Sequence, residues 1–89
     1  MGPLPLGKVV ATPTALKLLL EAGEHPFDFL ARHATGDWGD LCAFDRRQNE
    51  IALHDGARIF SSYNTPAGKV WVITEADRSV TTILLPEEY

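Results

Sequence analysis

Three groups of side chains in this sequence could carry chemistry, and their spacing decides how far each one goes. The first is a set of cations and hydroxyls late in the chain, Arg58, Tyr63, Arg78 and Thr82. Guanidinium groups neutralise phosphate charge, and a phenol or hydroxyl can sit beside an attacking oxygen. No histidine or glutamate base stands at a matching strand position. The second is His33, Asp37 and Asp40, with His54-Asp55 further on. Zinc sites use tighter spacings such as CxxC or HExxH, and neither occurs. Both histidines read instead as helix-end residues facing the C-terminal dipole, and no metal is expected. The third is nucleophilic: Ser61, Ser62 and Cys42. GxSxG is absent and no His–Asp pairing follows from spacing. Cys42 has apolar and acidic neighbours, the opposite of what lowers a thiol pKa, and reads as a small core residue. The phosphate-cradling loops GxxxxGK[ST] and GxGxxG are missing. No catalytic residue is assigned, and no cofactor is implied.

Binding candidates remain. Trp38 lies between glycines in Gly36-Asp37-Trp38-Gly39-Asp40. It reads as a plug between helices and sheet, with Asp37 and Asp40 capping or bonding loop amides; a ligand contact is the less favoured alternative. Asp77-Arg78-Ser79, followed by Thr81 and Thr82, reads as local turn hydrogen bonding. Its functional version has Arg78 and Arg58 gripping an anion near the end of the sheet. Trp71 is the remaining large aromatic, and its environment depends on the strands.

Those strands occupy the last third of the chain. Ala57–Asn64, Lys69–Glu75 and Val80–Leu85 are β-rich and alternate. Thr65-Pro66-Ala67-Gly68 and Ala76-Asp77-Arg78-Ser79 turn between them, and Pro86 ends the third. Simple reversals pair Phe60 with Ile73, Ser62 with Trp71 and Arg58 with Glu75, then Trp71 with Leu84 and Ile73 with Thr82. One face then carries Ile59, Tyr63, Val70, Val72 and Ile83 and should hold the core. The other carries Arg58, Phe60, Trp71, Ile73 and Thr82. It is either covered by the N-terminal segment or used to bind something.

Ahead of the meander, Leu6–Ala11 adds a short edge strand. Thr12-Pro13 starts a helix to Ala22, with Ala15, Leu16, Leu19 and Leu20 on one face and Gly23 as its stop. Pro26 opens a second helix to Ala34, with Phe27, Leu30, Ala31 and Ala34 as its stripe and Asp28 pairing Arg32. Asp45 and Gln48 resemble a capping box, so the third helix spans Arg46–Asp55, with Ile51 and Ala52 inward. The predicted fold is α+β, β-ααα-βββ: three short helices on one face of a three- to four-stranded antiparallel sheet.

At 89 residues the chain makes a single domain, residues 1–89, with 1–5 as a loose N-terminus. The hydrophobic share of 45% is ordinary for a globular protein. A net charge of −4 disfavours sequence-independent phosphate binding as the main task. One cysteine allows no internal disulfide, which fits a reducing cytoplasm. No apolar run approaches the roughly 20 residues of a membrane span, and Met1–Pro5 does not read as a signal peptide.

The segments GDWGDL (Gly36–Leu41), ARIFSSY (Ala57–Tyr63) and WVITEADRSVTTILLPEEY (Trp71–Tyr89) resemble a family of small bacterial proteins. Members are called hypothetical or plasmid-related, and sometimes labelled type I restriction endonuclease subunit M. The resemblance implies a bacterial cytoplasmic setting on mobile DNA and carries no functional residues. The restriction label fails physically, since 89 residues cannot hold both a methyltransferase cofactor site and a flipped base. The leading expectation is a non-enzymatic accessory or interaction protein that binds a protein partner, or itself, through the Trp71 face or the Trp38 loop. The enzymatic alternative is a ribonuclease toxin of the RelE and barnase type, a likeness of topology alone. Nucleic-acid binding is the weaker alternative.

Overall fold

The computed structural model describes residues 3–89, and the meander forms the middle and one edge of a four-stranded mixed sheet. The chain runs β1 (Lys8–Ala11), α1 (Pro13–Ala22), α2 (Pro26–Ala34), α3 (Ala43–Asp55), β2 (Ile59–Thr65), β3 (Gly68–Thr74) and β4 (Val80–Leu84). A 3-10 turn follows over Pro86–Glu88. Spatial order is β1-β4-β3-β2. Thr65 pairs with Gly68 across the Pro66-Ala67 turn, which places Phe60 opposite Ile73 and Ser62 opposite Trp71. β4 then sets Leu84 against Trp71 and Thr82 against Ile73. These are the pairs that turn chemistry predicts; Arg58 and Glu75 lie just beyond the ladder.

The antiparallel expectation needs one correction. β1 joins β4 in parallel, with Val9 beside Thr81 and Val10 beside Thr82. Two bonds guide its direction: the Lys8 amide donates to the Ser79 carbonyl, and the Thr81 hydroxyl donates to the Leu6 carbonyl. The segment before it is not uniformly loose. Met1 and Gly2 lie outside the described residues, but Leu4 is buried and its amide donates to the Ala34 carbonyl.

The aliphatic face carries the core as expected. Tyr63, Val70, Val72 and Ile83 are fully buried there against Ala15 and Leu19 of α1 and Phe29 and Leu30 of α2. Which helix faces turn inward differs from expectation. In α1, Leu16 and Leu20 face water, Leu20 at 79% exposure, while Leu18 packs on the core. In α2, Phe27 is 69% exposed and Phe29, Leu30 and His33 are buried. Arg32 pairs with Asp37 at 2.6 Å rather than with Asp28. The third helix begins at Ala43, so Asp45 falls in its first turn, where a carboxylate favours the positive end of the dipole. Its Ala52 is buried and Ile51 is exposed. Cys42 caps it from the surface and is not a core residue; its thiol donates to Asp45 at 3.4 Å.

α3 lies along β2 and closes that edge of the sheet. The buried Asn49 side chain donates to the Phe60 carbonyl at 2.6 Å and accepts from the Phe60 amide at 3.2 Å, as a neighbouring strand would. Two residues on, the Ser62 amide donates to the Trp38 carbonyl and the Ser62 carbonyl accepts from the Asp40 amide. Two further, the Asn64 amide donates to the Asp40 carboxylate at 3.0 Å. The outward backbone groups of β2 from Phe60 to the Asn64 amide are thereby paired, which removes a template for strand addition. Asn49→Ala strips both groups of Phe60 at once and is expected to cost about 1–3 kcal/mol, the usual cost of orphaned buried backbone. A lower urea midpoint at unchanged m-value would register it; an unchanged midpoint would show the edge is hydrated instead.

Candidate functional site

The sheet face opposite α1 and α2 holds the site. Alternation places Phe60, Trp71 and Ile73 on it, and the 3-10 turn brings Tyr89 over them. Phe60 and Trp71 meet edge to face at 5.2 Å, and Trp71 and Tyr89 at 5.8 Å. The Arg58 guanidinium lies 5.1 Å from the Tyr89 ring centre, in cation–π range. Asp45, Gln48 and Asn49 of α3 form the far wall of a groove of about 300 Å³. Ile73 is buried at its floor, Phe60 and Trp71 are partly exposed, and Arg58 and Tyr89 are open to water. The N-terminal segment does not roof this face: Leu4 and Leu6 pack instead with Trp38, Leu41, Ala52 and Ile59.

Tyr89 is held in place by its neighbour. The Glu88 carboxylate accepts from the Thr12 hydroxyl at 2.8 Å, the Leu85 amide at 2.8 Å and the Thr14 hydroxyl. These bonds, that to Thr14 first, hold the Glu88 carboxyl below its ordinary range. The carboxylate also sits at the N-terminus of α1, where the dipole favours it.

No family model, curated protein or solved structure matches this chain. Its geometry therefore carries the functional reading alone.

Of the residues singled out from sequence, the groove unites Arg58 and Trp71. Thr82 shares the face, partly buried against Ile73. The others are elsewhere. Trp38 is 5% exposed and seals the gap between α2 and α3, its indole N–H donating to Glu50 at 3.4 Å. Asp37 pairs with Arg32, which holds its carboxyl below the usual range, and it accepts from the Gly39 amide. Asp40 closes the β2 edge. Asp77 accepts from the Ser79 hydroxyl and amide, a local turn that also lowers its pKa. Arg78, at φ +62°, spends its guanidinium on the Ala52, Ala57 and Glu75 carbonyls, closing the C-terminal end of α3. The grip on an anion by Arg58 and Arg78 is thereby corrected: Arg58 faces the groove and Arg78 is committed to backbone. Nor do the four residues suited to phosphate chemistry converge, because Tyr63 lies buried on the opposite face.

A second hollow, of about 380 Å³, lies among Leu4, Gly36, Trp38 and Leu53. Among the described residues its sole ionisable lining side chain is Glu50. Among the described residues no cluster of three or more His, Cys, Asp or Glu could hold a metal ion. No helix among them is long and apolar enough to cross a membrane.

The most perturbed groups serve structure. Burial pushes Tyr63 up to about 12, and its hydroxyl donates to the Asp37 carbonyl at 2.7 Å. Burial lowers His33 to about 4. His33 heads a hydrogen-bonded chain whose direction follows from its end. Thr81 gives its proton to the Leu6 carbonyl, so Thr74 must donate to Thr81 at 2.7 Å. His33 Nε2 must then donate to Thr74 at 2.9 Å, and the Ser61 hydroxyl donates to Nδ1. The ring is the neutral Nε2–H tautomer. Sequence reading missed His33, Asn49, Glu88 and Tyr89 as positioning residues. Their partners are 41, 11, 76 and 18 residues away respectively (Thr74, Phe60, Thr12 and Trp71), beyond any local pattern.

Proposed function

We propose that this chain is a non-enzymatic accessory protein that docks a protein partner in the Trp71 groove. One observation supports the reading above others. The sheet is sealed by helices on one face and by α3 and the Trp38 loop at one edge, while Phe60, Trp71, Tyr89 and Arg58 stay accessible around a groove. Aromatic residues and arginine are the types that dominate binding energy at protein interfaces. Among the described residues no histidine, serine or cysteine lines the groove and Asp45 is its one side-chain carboxylate, and Trp38, the other tryptophan, is occupied in the core. A partner suited to the groove presents an apolar side chain to Trp71 and Ile73 and a carboxylate or carbonyl to Arg58. A bacterial cytoplasmic setting on mobile DNA is part of this proposal, and its support is the resemblance of the Gly36–Leu41, Ala57–Tyr63 and Trp71–Tyr89 segments.

The test is site-specific crosslinking in the native cell, with a photoreactive side chain at Gln48. A discrete adduct is expected, lost with Trp71→Ala, since a central tryptophan contributes about 2 kcal/mol or more, roughly thirtyfold in affinity. No adduct beyond that from the outer surface of α1, such as Glu21, would end the proposal. Salt-dependent RNA retention in its place would put the nucleic-acid reading first.

A further inference from the structure

The two edges of the sheet are treated differently. β2 is closed along Phe60, Ser62 and Asn64, whereas β1 is last in the strand order and has only β4 beside it. The Lys8 and Thr12 amides donate to the Ser79 and Ile83 carbonyls at 2.9 and 3.0 Å. Alternation turns the Val9 and Ala11 backbone groups the other way, to the outside. Val9 and Val10 are 42% and 36% exposed. We propose that β1 pairs antiparallel with β1 of a second copy, joining two four-stranded sheets into one of eight about a two-fold axis.

Register and charge select this occupant. Gly7, at φ +64°, bends the chain out of the strand, and a Cβ there would strike the Arg78 and Ser79 carbonyls. The usable extended stretch is therefore Lys8–Thr12, with Thr12 at φ −71° and ψ 149°. Centring the pairing on Val10 uses all of it. Val9 and Ala11 then exchange their outward N–H and C=O groups with Ala11 and Val9 of the second copy. Val10 meets its own symmetry mate as a non-hydrogen-bonded pair, and Lys8 faces Thr12. The Glu88 carboxylate sits on that Thr12 hydroxyl at 2.8 Å, so each Lys8 ammonium meets a Glu88 of the other copy. Among the described residues neither group has an ion-pair partner within the chain.

A lysine on a short edge strand commonly discourages pairing. Here the symmetry operation places a carboxylate opposite it, so the charge favours pairing in this one register. The closed β2 edge matters as well. It prevents β1 of one copy from adding to β2 of the next, which leaves the isologous dimer rather than a filament. This interface uses none of the residues that line the Trp71 groove, although its Glu88 also anchors Tyr89.

Sedimentation and a cysteine crosslink test it. The wild-type chain is expected to sediment as a dimer. Val9→Pro removes only an outward N–H, leaves the bonds to β4 intact, and is expected to give a folded monomer. Lys8→Glu sets like charges against each other and is expected to weaken the dimer at least tenfold. In a Cys42→Ser background, Val10→Cys is expected to form an interchain disulfide on mild oxidation. Val9→Cys is not, because its diagonal separation of about 7–8 Å exceeds disulfide reach. A chain that stays monomeric into the millimolar range overturns the proposal. So does a dimer that survives Val9→Pro and resists the Val10→Cys crosslink; loss of that dimer with Trp71→Ala would assign self-association to the groove.

Discussion

Gly39→Ala is expected to be severely destabilising for a substitution that adds a single methyl group. Gly39 sits at φ +74°, a conformation that costs other residues roughly 1–2 kcal/mol. Its backbone is also pressed against β2: the flanking Trp38 carbonyl and Asp40 amide bond Ser62, and a Cβ on Gly39 would collide with the Ser62 carbonyl and the Tyr63 ring. Neither can retreat. Tyr63 is fully buried with its hydroxyl on the Asp37 carbonyl, and Ser62 is locked between the loop and Trp71 on β3. Backbone strain and the clash together are expected to remove more than about 3 kcal/mol. A chain of this length is typically stable by roughly 4–13 kcal/mol, so the melting temperature should fall by more than about 10 °C. Gly23 and Gly56 supply the control. Both stand at φ +71° with nothing near the added methyl, so Gly→Ala there tests the conformational cost alone, about 1 kcal/mol. If Gly39→Ala proves no worse than Gly23→Ala, the loop is not clamped to the strand and the closed β2 edge is an illusion.

That clamp also shows where sequence reasoning succeeds and where it stops. The register of the meander was legible because two signals agree: alternation through Phe60–Tyr63 and Val70–Ile73, and a Pro-containing turn of fixed length between them. The role of Trp38 as a plug was legible from its glycine-flanked loop. Helix faces were not. α1 carries Leu16, Leu18, Leu19 and Leu20, an apolar arc wide enough to support more than one orientation, and packing against Val70 and Val72 decides for Leu19. In α2, Phe27 and Phe29 are equal candidates until Tyr63 supplies a ring 5.3 Å from Phe29. The parallel course of β1 depends on Leu6 and Ser79, more than 70 residues apart from one another in sequence. The groove was half legible: Trp71 and Arg58 come from strand patterning, but Tyr89 reaches them only because Glu88 is anchored on Thr12 and Thr14.

Acid is expected to destabilise this protein well above the range in which its carboxylates protonate, and His33 is the reason. It is fully buried among Ser61, Thr74 and Trp38, the last edge to face at 5.8 Å. Burial lowers its pKa from 6.5 to about 4. The sign follows from which state takes the proton first. Above pH 6.5 the ring is neutral in both states and its contribution is complete. As pH falls from 6.5 towards 4, the unfolded chain binds a proton that the folded chain refuses, so stability falls. Below 4 the folded ring protonates too and the slope from this group ends. The window corresponds to roughly 3 kcal/mol. Protonation has a structural cost as well, because a donor at Nδ1 would turn the Ser61 hydroxyl away from its ring acceptor. Asp37, Asp77 and Glu88 are held below their ordinary values of 3.8 to 4.5, so their loss begins only at the foot of this window and continues beneath it. Urea unfolding between pH 7 and 4 separates the two. Wild type should lose stability steadily across the interval, whereas His33→Gln, less stable at pH 7, should be nearly flat there. A wild-type curve that stays level until pH 4 would mean that the folded ring takes its proton as readily as the unfolded one, and the bond between Ser61 and Nδ1 would then run from the ring to the hydroxyl.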